Sequence, residues 1–251
     1  MKNGMKIVAI CGSAHKGNTY AALNTITDDY PDIDYKILML KDLDLKMCRG
    51  CYTCIAKGEH LCPLKDDRDM IINEMLDADG VIFASPVYVN SVSALMKNFI
   101  ERTGFEGHRP RYYDKYAMVM ATCGMFGATE TNEFMKGLFG SYGFNFISSL
   151  ELQMGANTEE EKVNNHKKTI KAINTLIDGI KKEKKYSPDI GQLVRFNIFK
   201  MLSTAFKEHF EADYQYYKDK TQIPSNGKIS SFKNGLAKRI ARKALGDLSG
   251  E

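Results

Sequence analysis

Apolar and polar positions divide this chain into short apolar runs and longer mixed stretches. The apolar runs predict β-strands at residues 5–10, 35–40, 80–84, 116–121 and 144–150. The stretches that follow them predict helices at residues 19–30, 66–76, 92–102, 131–142 and 159–182. Strand and helix alternate five times, which is typical of an α/β protein with a doubly wound, five-stranded parallel sheet. In such a sheet, ligands bind at the carboxyl ends of the strands.

The pattern changes beyond Pro188. Residues 190–210 are predicted to be mostly helical, with too many apolar positions for one narrow stripe, and residues 236–245 form a basic helix. Between them lies an aromatic run, Asp213-Tyr214-Gln215-Tyr216-Tyr217. We therefore predict a first domain at residues 1–183 and a helical carboxy-terminal extension at residues 184–251. The extension either packs on the core or on another subunit, or serves as a lid over substrate.

Composition and charge argue against nucleic-acid and membrane partners. The net charge is +4, and residues from Lys181 onward carry 15 Lys and Arg against 8 Asp and Glu. This basic end is more typical of a solvated helical face than of a nucleic-acid site, because no nucleic-acid motif accompanies it. No apolar run is long enough to span a bilayer, and residues 1–4 lead directly into the first strand. We expect no signal peptide, no membrane partner and a cytoplasmic location.

A polar, glycine-containing loop joins the first strand to the first helix, with the sequence Cys11-Gly12-Ser13-Ala14-His15-Lys16-Gly17-Asn18-Thr19. Backbone N–H groups at the start of a helix point towards one spot, so a phosphate can bind there. The spacing matches neither G-x-G-x-x-G nor a Walker A loop. An ordinary strand-to-helix turn remains the alternative.

This loop resembles the first loop of the flavodoxin-like, NAD(P)H-dependent FMN reductase family. The resemblance implies that Ser13, Gly17, Asn18 and Thr19 hold the phosphate of FMN. The loops after the third and fourth predicted strands resemble the family's two loops along the flavin ring, the third-loop match being looser. The residues carried over there are Pro86, Val87, Tyr88, Asn90, Thr122 and Gly124.

Four of the six cysteines lie within fifteen residues: Cys48, Cys51, Cys54 and Cys62. Without a secretion signal, this clustering favours metal or redox chemistry over structural disulfides. The run resembles the compact cysteine motif of iron–sulfur flavoproteins, which implies a [4Fe-4S] cluster on these four thiols. Its last gap is longer than that of ordinary ferredoxins. Three alternatives remain: the motif binds no metal, it binds zinc, or Cys51 and Cys54 undergo reversible thiol chemistry.

Together the motifs predict an FMN-dependent oxidoreductase that takes hydride from NADH or NADPH and passes electrons to a small-molecule or protein acceptor. No residue is singled out as a general acid or base, because the flavin supplies the redox chemistry. The alternative is an electron-transfer carrier with an iron–sulfur cluster, and a redox sensor that binds nucleic acid has the least support. We expect a homodimer or homotetramer.

Overall fold

The computed structural model of the chain describes residues 4–155, 158–184, 186–225 and 227–246. The signal-peptide expectation rests in part on residues 1–3, and the end of the extension on residues 247–251, and both lie outside this range. Within the described ranges, none of the helices combines the length and the apolar character needed to cross a bilayer.

The strands and helices follow the predicted order. The strands are β1 (Lys6–Cys11), β2 (Asp34–Met39), β3 (Gly80–Tyr88), β4 (Ser91–Val92), β5 (Tyr116–Cys123) and β6 (Asn145–Gln153). The helices of the first domain are α1 (Asn18–Asp29), α2 (Thr53–Ala56), α3 (Arg68–Asp77), α4 (Ala94–Arg102), α5 (Ala128–Gly140) and α6 (Glu159–Lys181). The helices beyond it are α7 (Ile190–Ala205), α8 (Glu211–Tyr217) and α9 (Ser231–Leu245).

Five strands pair in parallel in the order β2-β1-β3-β5-β6, which is the flavodoxin-like order. The third predicted strand shows why the sheet forms here, because Val81, Ile82, Phe83 and Ala84 are each 0% exposed. A strand that is apolar on both faces must be covered on both. Helices α3, α4 and α5 cover one face, and α1 and α6 cover the other. The predicted fold class is confirmed.

Strands β3, β5 and β6 run at least two residues further at their carboxyl ends than the sequence predicts. β3 continues through Tyr88 and β5 through Cys123, with Pro86 opposite Thr122. Most of the segment expected to be a loop at residues 85–91 is therefore strand: residues 85–88 end β3, and after a two-residue turn β4 pairs antiparallel with them. The apolar signal ends at Ala84 because polar Ser85 and then proline interrupt it, although the backbone remains extended.

The extension has a small apolar cluster of its own, which also contacts the chain before residue 184. Leu193, Phe196, Tyr217, Ile223 and Ala237 form this cluster, with the partly buried Tyr113 packed against it. The helices are thus anchored to the segment before β5. The division at residues 183 and 184 stays a prediction.

Candidate functional site

The first loop delivers an open helix terminus to the carboxyl end of the sheet. α1 begins at Asn18, and Gly17 at its N-cap position provides no side-chain hydrogen bond to the helix. The first N–H groups of α1 are therefore not capped by that residue and can bind an anion. Ser13 is 2% exposed, and its hydroxyl donates to the carbonyl oxygen of His15 at 2.7 Å, which folds the loop on itself.

Gly12 fixes this loop against the neighbouring elements. Its N–H donates to the carbonyl oxygen of Ala84 at 2.8 Å, and its own carbonyl accepts from the Ser93 hydroxyl at 2.6 Å. A Cβ at this position would lie 2.8 Å from the Cβ of Met96, so the close approach of α4 requires glycine here. The sequence shows the glycine and predicts α4, but it does not predict that α4 packs on Gly12.

A buried hydrogen bond joins the first and third predicted loops. The hydroxyl oxygens of Thr19 and Thr122 are 2.6 Å apart, and their side chains come from positions 103 residues apart in the chain. Thr19 is 2% exposed and Thr122 is 5% exposed. Both were predicted site residues, and the structure brings them together beside the start of α1.

The second predicted loop is the tight turn between β3 and β4. Val89 and Asn90 have φ angles of +50° and +56°, which is the left-handed pair that a type I′ hairpin turn requires. Val89 is 99% exposed, so no packing compensates for the strain of a β-branched residue in that conformation. Strained turns are often found at ligand sites.

The hairpin also contacts the third loop. Gly127 has a φ of +90°, and a Cβ there would lie 2.9 Å from Cγ1 of Val87 and 3.1 Å from Oδ1 of Asn90. The sequence analysis did not single out Gly127, although a glycine directly before a helix is a signal for such a close approach.

The remaining predicted residues lie at the same edge of the sheet. Pro86 pairs with Thr122 across β3 and β5, whereas Asn18, Tyr88 and Gly124 are exposed. Two large apolar side chains of the third loop, Met125 and Phe126, are 66% and 73% exposed, and neither is among the predicted site residues. The edge thus combines an anion-binding helix start, buried hydroxyls and exposed aromatic surface, which fits a phosphate joined to a planar ring.

The cysteine motif folds around the short helix α2. Cys62 is buried, Cys48 and Cys54 are half-buried, Cys51 is exposed, and all four are free thiols. The Thr53 hydroxyl donates to Sγ of Cys51 at 3.4 Å and lowers the pKa of that thiol. Burial raises the pKa of Cys54, and the neighbouring sulfurs of Cys62 and Cys48 raise it further. Cys54 is therefore the thiol that the sulfurs of both Cys62 and Cys48 influence.

The four thiols have the chemistry of a cluster ligand set but do not form a closed site as they stand. Among the residues that the structure describes, no three Cys, His, Asp or Glu side chains converge closely enough to hold a metal ion.

Helix α4 anchors the cysteine motif through two buried polar side chains. Oδ1 of Asn98 accepts from the N–H of Cys48 at 3.2 Å. Arg102 donates to Sγ of Cys62 at 3.4 Å and binds the carboxylate of Asp66 at 2.7 and 2.8 Å. The sequence analysis missed both residues. Their spacing of one helical turn, on the apolar side of α4, was the available signal.

Comparisons with known proteins agree with this geometry. The sheet order and the first-loop arrangement define a flavodoxin-like protein, and a solved structure of RosB with a bound intermediate shares the fold at a TM-score of 0.55. That structure is 13% identical and is matched over 91% of this chain and 92% of its own. The family model described as NADPH-dependent FMN reductase matches residues 5–159. The chain belongs to this family, and its chemistry is flavin-dependent oxidoreduction.

Two relatives are named as iron–sulfur flavoproteins. An iron–sulfur flavoprotein of Archaeoglobus fulgidus is 28% identical over 86% of this chain and 99% of its own length. An iron–sulfur flavoprotein of Methanocaldococcus jannaschii is 39% identical over 39% of this chain and 52% of its own length. The predicted resemblance to the iron–sulfur flavoprotein subgroup is confirmed.

Proposed function

We propose that this protein is an oxidoreductase that passes electrons from NADH or NADPH through bound FMN to a small-molecule or protein acceptor. One observation carries the proposal: the uncapped start of α1 and the buried Thr19–Thr122 pair lie at the edge where three loops meet. The family description, which names NADPH and FMN, supports the choice of both.

The chain's own residues hold and orient the cofactor in this proposal. Ser13, Gly17, Asn18 and Thr19 bind the phosphate with hydroxyl and backbone N–H groups. The hairpin residues Pro86, Val87, Tyr88 and Asn90 would contact the flavin ring, as would Thr122 and Gly124. FMN supplies the hydride and electron chemistry when bound. The proline and the paired strands keep the hairpin rigid, so that the ring has one binding position.

The test is an anaerobic absorption spectrum of the purified protein before and after addition of NADPH or NADH. Two flavin bands that bleach on addition support the proposal, and the faster of the two nucleotides identifies the preferred donor. A flavin-loaded protein that neither nucleotide reduces contradicts the reductase assignment.

The cysteine motif favours a second function, electron transfer by an iron–sulfur flavoprotein. Four free thiols with the compact spacing support it, as do the names of the relatives. Cys48, Cys51, Cys54 and Cys62 would hold a [4Fe-4S] cluster, which would supply single-electron transfer when bound. The same spectrum tests it: broad absorbance near about 400 nm that is lost in Cys51→Ala supports the carrier. Colourless zinc in a metal analysis would contradict it.

We also expect a homodimer or homotetramer. The exposed apolar side chains Met47, Tyr52 and Leu61, beside the cysteine motif, are 71%, 71% and 49% exposed. Light scattering of the purified protein measures the oligomeric state directly.

A further inference from the structure

The aromatic run of the extension contains a buried carboxylate whose partners lie in the first domain. Asp213 on α8 is 2% exposed. Its carboxylate pairs with the guanidinium of Arg109, and Oδ2 lies 2.8 Å from Nδ1 of His108. The His108 ring in turn stacks on Phe199 of α7, with ring centroids 4.0 Å apart. Both oxygens of this carboxylate are therefore used in docking the extension.

The partner of Asp213 reaches the cysteine motif. Nη2 of Arg109 donates to the carbonyl oxygen of Cys54 at 2.6 Å, and Nη1 donates to the carbonyl oxygen of Ile55 at 3.2 Å. Nη2 also lies 3.0 Å from Oε2 of Glu59, just after the helix. One guanidinium therefore joins the motif to the extension.

The contacted carbonyls belong to a helix that needs outside support. α2 has only four residues, which is far below the length at which a helix is stable alone. The last carbonyls of any helix lack partners within it, and Arg109 supplies partners for two of them. The fork of donors on a guanidinium can bind two carbonyls and a carboxylate together, which a lysine ammonium cannot match in geometry.

The tyrosines of the same run hold the backbone around Arg109. The Tyr217 hydroxyl donates to the carbonyl oxygen of His108, and the Tyr216 hydroxyl donates to that of Pro110. Three side chains from one short helix thus bind residues 108–110. This part of the sequence is accounted for by neither the flavin site nor the cysteines.

We propose that Asp213 is a positioning residue for the cysteine motif: through Arg109 it fixes the backbone at Cys54 and Ile55, and with it the thiol of Cys54. The carboxylate balances the charge of a guanidinium that is only 8% exposed, and holds it in the orientation that meets both carbonyls. The extension is then part of the framework of the redox site and does not open as a lid. The inference holds whether or not the thiols bind a metal.

The test compares Asp213→Asn and Arg109→Lys with the wild type, as purified full-length protein under anaerobic conditions. Asp213→Asn removes the charge at nearly constant size, and Arg109→Lys keeps the charge but loses the fork. Glu211→Gln is the matched control, because Glu211 is an exposed acidic residue on the same helix. Amide hydrogen exchange is measured at Ala56, Lys57 and Gly58, which donate to the carbonyls of Tyr52 and Thr53.

We expect these three amides to exchange about tenfold faster in both variants, and Glu211→Gln to match the wild type. With any bound metal removed from every sample, Cys54 should also be alkylated about tenfold faster in both variants than in the wild type. Cys11 and Cys123, which are buried at the end of the sheet, should keep their wild-type alkylation rates. Unchanged exchange at α2 in Asp213→Asn would overturn the proposal. Equal acceleration at Cys11 and Cys123 would also overturn it, because it would indicate a general loss of stability.

The proposed function is measured separately in the same samples. Flavin content and reduction by NADPH report on the FMN site, whereas amide exchange at α2 reports on the positioning of the motif. A protein that binds no FMN but shows the expected exchange pattern would contradict the proposed function and support the positioning role of Asp213.

Discussion

Thr19 is a buried residue of the candidate site whose hydroxyl has a side-chain partner. Its buried hydroxyl has the Thr122 hydroxyl as a partner at 2.6 Å, at the start of an uncapped helix. Thr19→Val keeps the branched shape but removes the donor to a bound phosphate. We expect the affinity for FMN to fall about tenfold or more, because hydrogen bonds to charged groups contribute about 1.5–3 kcal/mol. Titration of the apoprotein with FMN, followed by flavin fluorescence, measures this.

Thr25→Val is the control for that titration. Thr25 is on the same helix, and its hydroxyl donates only to the carbonyl oxygen of Ala21. Its replacement should leave FMN affinity unchanged. Equal affinity in Thr19→Val and the wild type would show that the phosphate is held elsewhere.

Gly12 provides a prediction about stability. A Cβ there would lie 2.8 Å from the Cβ of Met96 and 2.9 Å from Oγ of Ser93, which itself donates to Gly12. Gly12→Ala should lower the free energy of unfolding by about 1–3 kcal/mol, since the core must shift to admit the methyl group. Urea denaturation measures the change.

Gly137→Ala is the matched substitution in open space. A Cβ at Gly137 would have nothing within 4 Å, and the residue lies inside α5. Alanine there should raise the free energy of unfolding by up to about 1 kcal/mol through helix propensity. If both alanines had the same effect, the packing explanation for Gly12 would be wrong.

At the scale of the element, the β3–β4 turn stores strain at Val89. Asparagine adopts positive φ more readily than a β-branched residue, and Val89 has no packing to lose. Val89→Asn should therefore raise the free energy of unfolding by about 1 kcal/mol. Urea denaturation of the apoprotein measures it, with Val163→Asn on the exposed side of α6 as the control. A stability equal to that of the wild type would mean that the turn is not strained.

Ion pairs that join helix α3 to strands β1 and β2 give a prediction about the pH dependence of stability. Glu74 on α3 accepts from Nζ of Lys36 at 2.6 Å and lies 3.2 Å from Nζ of Lys6, so it links β2 and β1. The hydrogen bond from Lys36, together with the ion pair to Lys6, lowers the pKa of Glu74. Its contribution to stability is then fully present above the unfolded-state pKa of about 4.3 and is lost as the pH falls through the lower, folded-state pKa.

Glu74→Gln should accordingly be less stable than the wild type at neutral pH, by up to about 1 kcal/mol because the site is partly exposed. The difference should be smaller at about pH 3 than at neutral pH, because the carboxylate is lost as the pH falls through the folded-state pKa. Urea midpoints at the two pH values measure it. Glu101→Gln, which removes only a local pair with Lys97 on α4, should show at most about 0.5 kcal/mol at either pH. A difference at Glu74 that grows on acidification would contradict the assignment.

At the scale of the whole molecule, the sequence predicts the features that depend on local periodicity. The five parallel strands follow from apolar runs that alternate with helices, and the meeting of three loops follows from the carboxyl ends of those strands. The extension of β3 to Tyr88 was missed because Ser85 and Pro86 interrupt the apolar run, whereas their pairing is decided by β5. Local residue types cannot report a partner strand that lies 36 residues further on.

The sequence did not predict the contacts around the cysteine motif, for a different reason. Asp66, Arg102, Arg109 and Asp213 are charged and read as exposed residues in a sequence, yet the structure buries all four side chains. Burial of a charge requires a matching partner, and Arg109 and Asp213 are 104 residues apart. The aromatic run was visible, but nothing local indicates where it docks. The candidate flavin residues were easier to find because they lie in three short motifs.

The link from Asp213 to Cys54 also orders events during synthesis. Domains begin to fold from the amino-terminal side as the chain emerges, at about 5–20 residues per second. About 160 residues separate the two positions in the chain, so the ribosome needs roughly 8–30 s between them. The last strand of the parallel sheet, which ends at Gln153, is made within that interval, whereas α2 still lacks the contact that fixes it. A nascent chain therefore completes its scaffold first and its thiol geometry last.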